Sequence, residues 1–259
     1  MTDRLEGRSP AALCYHDVVP ENAPDWSGFP GAAAGSYKLT RDAFAAQLTA
    51  LSALGPDGVT LTFDDGGRSA FEIISDMLLE RGLVGYFFVT TERIGTTGFL
   101  SRPQVAGLRK AGHAVGTHSV SHPLLFGSLP YPRMLAEWRE SRQTLEDILG
   151  EAVRDGSVPG GLYSVAAGRA AAEAGLRLLF TSEPTVVTDQ IDGCRVRGRF
   201  AVRSSTTPEA LLDLAADRGT ARWRYATLWH AKIVARRIGG TPLLRAREWI
   251  FRRLGRKRS

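Results

Sequence analysis

Seven short apolar runs, separated by stretches of helical periodicity, constrain this chain more than any other feature. They are Ala12–Tyr15, Val59–Phe63, Val84–Val89, Ala114–Thr117, Val153–Val158, Arg177–Thr181 and Arg195–Val202. Runs of this length bounded by turn residues read as buried strands, and helices between successive strands impose parallel pairing with the helices outside. Helix starts are legible where Thr40 precedes Phe44, Leu48 and Leu51, and where Ser101 precedes Val105 and Leu108. Further helices are predicted over Arg68–Arg81, Pro132–Leu149, Ser164–Ala174 and Pro208–Arg218, with an interrupted stretch from Arg222 to Leu254. The class is α/β, as a barrel or an open doubly wound sheet; periodicity does not choose. The Pro/Gly-rich segment from Val19 to Tyr37 is long for a connection, and long ordered loops in such folds shape active sites.

With 259 residues, 43% of them hydrophobic and 23% charged, a single globular domain is the default. Cys14 and Cys194 match no metal or redox spacing, which argues against a disulfide scaffold and fits a reducing compartment. Acidic residues and Pro10 interrupt the first 25 residues, and no window approaches the ~18 apolar residues of a membrane span. A cytoplasmic protein without a signal peptide is therefore expected. The net charge of +6 is uneven, because residues 232–259 hold Lys232, Arg236, Arg237, Arg245, Arg247, Arg252, Arg253, Arg256, Lys257 and Arg258 against Glu248 alone. The chain is accordingly divided into a 1–231 barrel and a 232–259 basic helical tail. That tail reads either as a solvated amphipathic helix or as a segment attracted to an anionic membrane surface. Nucleic acid is not an expected partner, since no recognition module accompanies the charge.

Two constellations carry chemistry. In Leu61-Thr62-Phe63-Asp64-Asp65-Gly66-Gly67 a strand ends on adjacent carboxylates, costly to bury without a positive partner; a polar turn with a helix cap would also account for them. In Gly116-Thr117-His118-Ser119-Val120-Ser121-His122-Pro123 two histidines four apart would face one way on a helical turn. Two histidines and a carboxylate with open positions are a recurrent catalytic metal set. Both groups lie at predicted strand C-termini, where parallel barrels assemble their sites, so a joint metal site is expected. His113, just upstream, reads as structural.

Thr62-Phe63-Asp64-Asp65-Gly66 and His118-Ser119-Val120-Ser121-His122 resemble the two hallmark motifs of the polysaccharide deacetylases, the NodB-homology carbohydrate esterases. The resemblance covers roughly Ala11 to Ser205. It implies a distorted (β/α)7 barrel and hydrolysis of the acetamide of an N-acetylated sugar or polysaccharide intermediate. By that analogy Asp65, His118 and His122 bind one divalent ion, zinc or else cobalt, nickel or iron, while Asp64 is the general base. His16, in Tyr15-His16-Asp17-Val18, resembles the opening of the poly-N-acetylglucosamine deacetylase branch and is the expected acid, with Asp17 either orienting it or capping the next loop; His230 is the alternative acid. Pro159, Gly160, Gly161 and Tyr163 occupy the stretch where the family supplies an oxyanion donor. Ser157 stands where the family's base-orienting arginine would be, which leaves Arg102 or Arg154 as substitutes. Trp26, Phe29 and Tyr37 are candidates for stacking on sugars, and Leu124–Gly127 for an acetyl pocket. Two further readings stay open: a hydrolase of another small amide or cyclic imide, and an inactive carbohydrate-binding relative, favoured by the missing arginine.

Overall fold

A computed structural model describes residues 3–4, 10–55 and 57–231. Each of the seven apolar runs coincides or overlaps with a strand: β1 (Ala11–Tyr15), β2 (Val59–Phe63), β3 (Tyr86–Val89), β4 (Ala114–Thr117), β5 (Asp155–Ser157), β6 (Leu178–Phe180) and β7 (Cys194–Arg197). These pair in parallel in that order and curl into a half-barrel. The last run is not one strand. Its end, β8 (Phe200–Ala201), leaves β7 and pairs with β1 at the opposite side, Phe200 against Leu13 and Ala201 against Cys14. Gly198 and Arg199 therefore cross the seam between the two sides of the sheet. A Cβ on Gly198 would lie 2.2 Å from the Glu183 carbonyl oxygen, so no other residue makes this crossing without displacement. Thr188–Ile191 and Asp3–Arg4 add antiparallel strands outside β7.

Alternation along the strands sorts the core into two layers. Leu13, Tyr15, Leu61, Phe63, Phe87 and Val89 pack with Phe44, Leu48, Ile74, Leu78 and Leu108 of the surrounding helices. Ala12, Phe88, Leu178 and Phe180 form the inner cluster. The main helices are α1 (Arg41–Leu51), α2 (Ser75–Leu79, preceded by a π-helical turn over Ala70–Ile74), α3 (Arg102–Lys110), α4 (Tyr131–Leu149), α5 (Val165–Glu173) and α6 (Pro208–Ala216). Thr40 caps α1 through the Ala43 N–H, and Ser101 and Gln104 form a reciprocal capping box on α3, as their spacing predicts. Residues 221–231 are helical, and the basic tail expected over 232–259 lies outside the described residues. Among the described residues no helix is long and apolar enough to cross a membrane.

Candidate active site

The C-terminal ends of β1, β2, β4 and β5 converge. His16 follows β1, Asp64 and Asp65 follow β2, His118 follows β4, and Ser157 ends β5. The Asp64 N–H donates to the Tyr15 carbonyl (3.0 Å), which extends the β1–β2 pairing into the site. Asp65, Ser119 and His122 all have positive φ (75°, 67° and 55°), a conformation unfavourable to non-glycine residues and typical of functional turns. The His118–His122 segment is thus a loop, not the helical turn that the four-residue spacing suggested. Left-handed turns at Ser119 and His122, rather than helical periodicity, bring the two rings to a centroid distance of 5.0 Å.

Glu137, a buried residue of α4, holds that loop. Its Oε2 accepts the N–H groups of Val120 (2.8 Å) and Ser121 (2.9 Å), its Oε1 accepts the Ser121 hydroxyl (2.6 Å), and Arg133 pairs with it at 2.7 Å. Glu137→Ala is expected to weaken divalent-metal binding about 10–100-fold, read by competition with a chelator. Unchanged affinity would show that the loop keeps its shape unaided.

One oxygen or nitrogen each from Asp65, His118 and His122 lies within 4.8 Å of the other two. The buried Asp65 Oδ1 has no hydrogen-bond partner and faces Nε2 of His118 at 3.5 Å and of His122 at 3.3 Å. Nδ1 of His118 lies 2.9 Å from the Ser157 carbonyl oxygen, which can only accept. In neutral His118 the proton therefore sits on Nδ1, and Nε2 turns its lone pair toward the carboxylate. Burial disfavours charge on His118, yet Asp64 and Asp65 raise its pKa, so the local field favours a cation. The donor set fits a divalent ion.

Asp64 is held by a residue that sequence reasoning missed. Arg199, fully buried at the seam crossing, donates from Nη1 to Asp64 Oδ1 (2.8 Å) and from Nη2 to Oδ2 (2.8 Å). Nη1 also reaches the Thr62 hydroxyl (2.9 Å), Nη2 the Ser157 hydroxyl (2.7 Å) and Nε the Thr181 carbonyl (3.1 Å). Every guanidinium N–H is thereby satisfied. Ser157 Oγ also donates to Asp64 Oδ2 (3.1 Å), bridging base and arginine from the position where the resemblance led one to expect an arginine. Arg102 and Arg154, the sequence-based substitutes, are exposed. Burial alone would raise the Asp64 pKa; Arg199 and His118 outweigh it and hold the carboxyl well below the usual range.

His16 lies beside this pair, within a cluster in which one donor atom each of Cys14, His16 and Asp64 lie within 4.8 Å of one another. Its ring packs on Tyr37 (4.8 Å), and its buried Nδ1 has no partner. This cluster does not make a second metal set, because Arg199 occupies both Asp64 oxygens and burial pushes the Cys14 thiol well above its ordinary pKa. Asp17 turns away from His16: its Oδ1 accepts the hydroxyls of Ser27 (2.6 Å) and Ser69 (2.8 Å), fixing the long loop. The same loop is gripped by buried Lys38, whose ammonium donates to the carbonyls of Pro24 (2.8 Å), Ser27 (2.6 Å) and Phe29 (2.7 Å).

Of the other expected residues, Pro159–Gly161 form a short turn directly after β5, with Gly160 at φ 68° and packed so tightly on Leu124 that a Cβ would meet its carbonyl oxygen at 2.2 Å. Tyr163 packs toward α5, and Gly168 lies against its ring. Phe126 is core, its ring tilted against that of Trp138 at 4.6 Å, and Leu124 is exposed, so they do not form an apolar pocket at the site. His230 is exposed on the last described helix with Nδ1 on the Ala226 carbonyl (2.7 Å), apart from the cluster. His113 is buried between Ser75 and the Gly85 N–H, a structural residue.

Fold and donor set together define an α/β barrel of the NodB type, with an Asp–His–His group beside an arginine-held aspartate. Residues 52–179 match the family model "Polysaccharide deacetylase", a span that includes Asp64, Asp65, His118 and His122. The segment that carries the candidate metal set belongs to the polysaccharide deacetylase family. Among curated proteins, Bacillus subtilis YheN is 35% identical over 98 residues, 38% of this chain and 33% of YheN. YxkH of the same organism is 25% identical over 126 residues, 49% of this chain and 45% of YxkH. The matched stretches thus span less than half of either relative. Similar folds include the Streptococcus pyogenes deacetylase PplD, solved with acetate (TM-score 0.66, 19% identity, 80% of this chain and 99% of that one). IcaB from Ammonifex degensii gives a TM-score of 0.64 at 23% identity over 83% of this chain and 98% of that one. At these identities the likeness is one of fold.

Proposed function

We propose that this protein is a metal-dependent hydrolase that removes the acetyl group from an N-acetylated sugar or glycan. The observation that carries the proposal is the juxtaposition of the Asp65–His118–His122 donor set with an Asp64 oriented by Arg199. Asp64 held so far below the usual carboxylate range is a weak base toward ordinary water; a divalent ion on Asp65, His118 and His122 would supply the missing acidity and polarise the amide carbonyl. Asp64 then takes a proton from the attacking water, its lone pairs fixed in direction by the guanidinium fork. His16, on the same side of the barrel, gives a proton to the departing amine nitrogen, so that acetate and a free amine leave. Gly161, in the turn that follows β5, would offer its backbone N–H to the developing oxyanion.

Arg199 restores the charge partner whose absence favoured an inactive relative. The groove beside His122, lined by Phe29 and Phe99, favours a saccharide over a small amide, which a narrow pocket would suit. We also propose peripheral attraction of the basic 232–259 segment to an anionic membrane, where a lipid-linked intermediate would be met. The reaction is tested by measuring acetate released from a panel of N-acetylated saccharides. His16→Ala is expected to lower kcat by about 10²–10⁴-fold with metal still bound. If His230→Ala proves the more damaging change, the acid is misassigned.

A further inference from the structure

We infer that the groove beside the metal set takes an acidic unit of the substrate, so that the acetamide is presented by an anionic glycan. The inference rests on the deacetylase reading and narrows its substrate. The groove, about 570 Å³, is lined by Asp25, Phe29, Arg93, Thr96, Thr97 and Phe99. Phe29 connects it to the site, its ring 4.9 Å from that of His122 and 5.1 Å from that of Phe99. Lys38 holds the Phe29 carbonyl, so this wall is built before any ligand arrives.

Arg93 stands over Phe29, its guanidinium carbon 5.5 Å from the ring centroid, and its buried Nε has no acceptor. Arg68, three residues beyond Asp65, lies 3.9 Å over the Trp26 ring, and its Nε is likewise buried without an acceptor. The Gly98 carbonyl accepts the backbone N–H groups of Arg68 (3.0 Å) and Gly28 (2.8 Å), which ties the Trp26–Phe29 loop to the segment that follows Arg93. Arg199 finds an acceptor for every N–H, whereas among the described residues neither Arg68 nor Arg93 has an ion pair or a side-chain hydrogen bond. An aromatic face that stacks a guanidinium leaves its N–H edge directed at a ligand, and the planar fork matches a carboxylate or a phosphate. Asp25, also in the lining, is exposed and accepts the Gly31 N–H (2.8 Å), so a carboxylate is present there to accept sugar hydroxyls and to repel an acid from its own part of the groove.

The test is isothermal titration of the full chain with three probes: neutral triacetylchitotriose, the carboxylate-bearing disaccharide of N-acetylglucosamine and N-acetylmuramic acid, and UDP-N-acetylglucosamine. At least one acidic probe is expected to bind about tenfold more tightly than the neutral one, with a preference that shrinks as salt rises. The acidic probe that shows it identifies the anion as a carboxylate or a phosphate. Arg93→Gln is expected to abolish that preference. Equal binding of all three, or a preference that survives Arg93→Gln, would overturn the inference. Acetate release is followed in parallel: charge-selective binding without turnover of any probe, metal being bound, would count against the deacetylase reading alone.

Discussion

Arg199→Met is expected to destabilise the protein by about 3–5 kcal/mol and to remove most of its turnover, the largest combined loss of any single change at the site. The pair it breaks is buried on both sides, with Arg199 at 0% and Asp64 at 5% exposure, so the substitution leaves a carboxylate without its main counter-charge. It also strips acceptors on Thr62, Ser157 and Thr181 of a shared donor. Arg199→Lys keeps the charge but cannot present two parallel N–H groups to one carboxylate. It should therefore recover much of the stability while kcat stays low and KM moves little, since the arginine acts through Asp64 rather than on substrate. Thermal unfolding and steady-state kinetics on both variants separate the two effects. A lysine variant with full kcat would show that charge alone, not bidentate orientation, is what Asp64 requires.

Asp65→Ala and His118→Ala are expected to abolish tight metal binding, whereas Asp64→Asn should retain the ion and lose kcat by about 10²–10⁴-fold. The neighbouring carboxylates separate in this way because their surroundings differ. Asp65 Oδ1 faces the Nε2 atoms of two imidazoles, whereas both oxygens of Asp64 are committed to Arg199. Asp64→Asn also leaves Arg199 buried beside a neutral group, so its stability will fall, and activity must be compared below the unfolding transition of each variant. Full turnover in Asp64→Asn would refute its assignment as base.

Much of this arrangement was legible because its determinants are local. Apolar runs located all seven parallel strands, and the motif residues lay at strand ends where barrel sites form. What escaped was non-local. Arg195–Val202 read as one strand, and a continuous strand would have placed Arg199 on a sheet face with no special role. Only the seam crossing at Gly198, which moves the chain from β7 to the side of β1, carries Arg199 into the barrel interior. A lone glycine inside a strand pattern, signalling close backbone approach, was the available clue. The histidine pair was recognised for its spacing, yet it is assembled by left-handed turns and by Glu137, a residue of α4 whose acceptor role has no signature in sequence. Asp17, next to His16 in the chain, proved to face Ser27 and Ser69 because β-type alternation sends consecutive side chains to opposite sides.

The most direct test of the account is acetate release by chelator-stripped protein titrated with cobalt or zinc. On an N-acetylated saccharide that the native protein deacetylates, activity should be absent at the start, rise with added metal and level off at one equivalent, and His118→Ala should show no such rise. Activity that survives metal removal, or that returns equally in His118→Ala, would contradict the assignment of Asp65, His118 and His122 as the metal set.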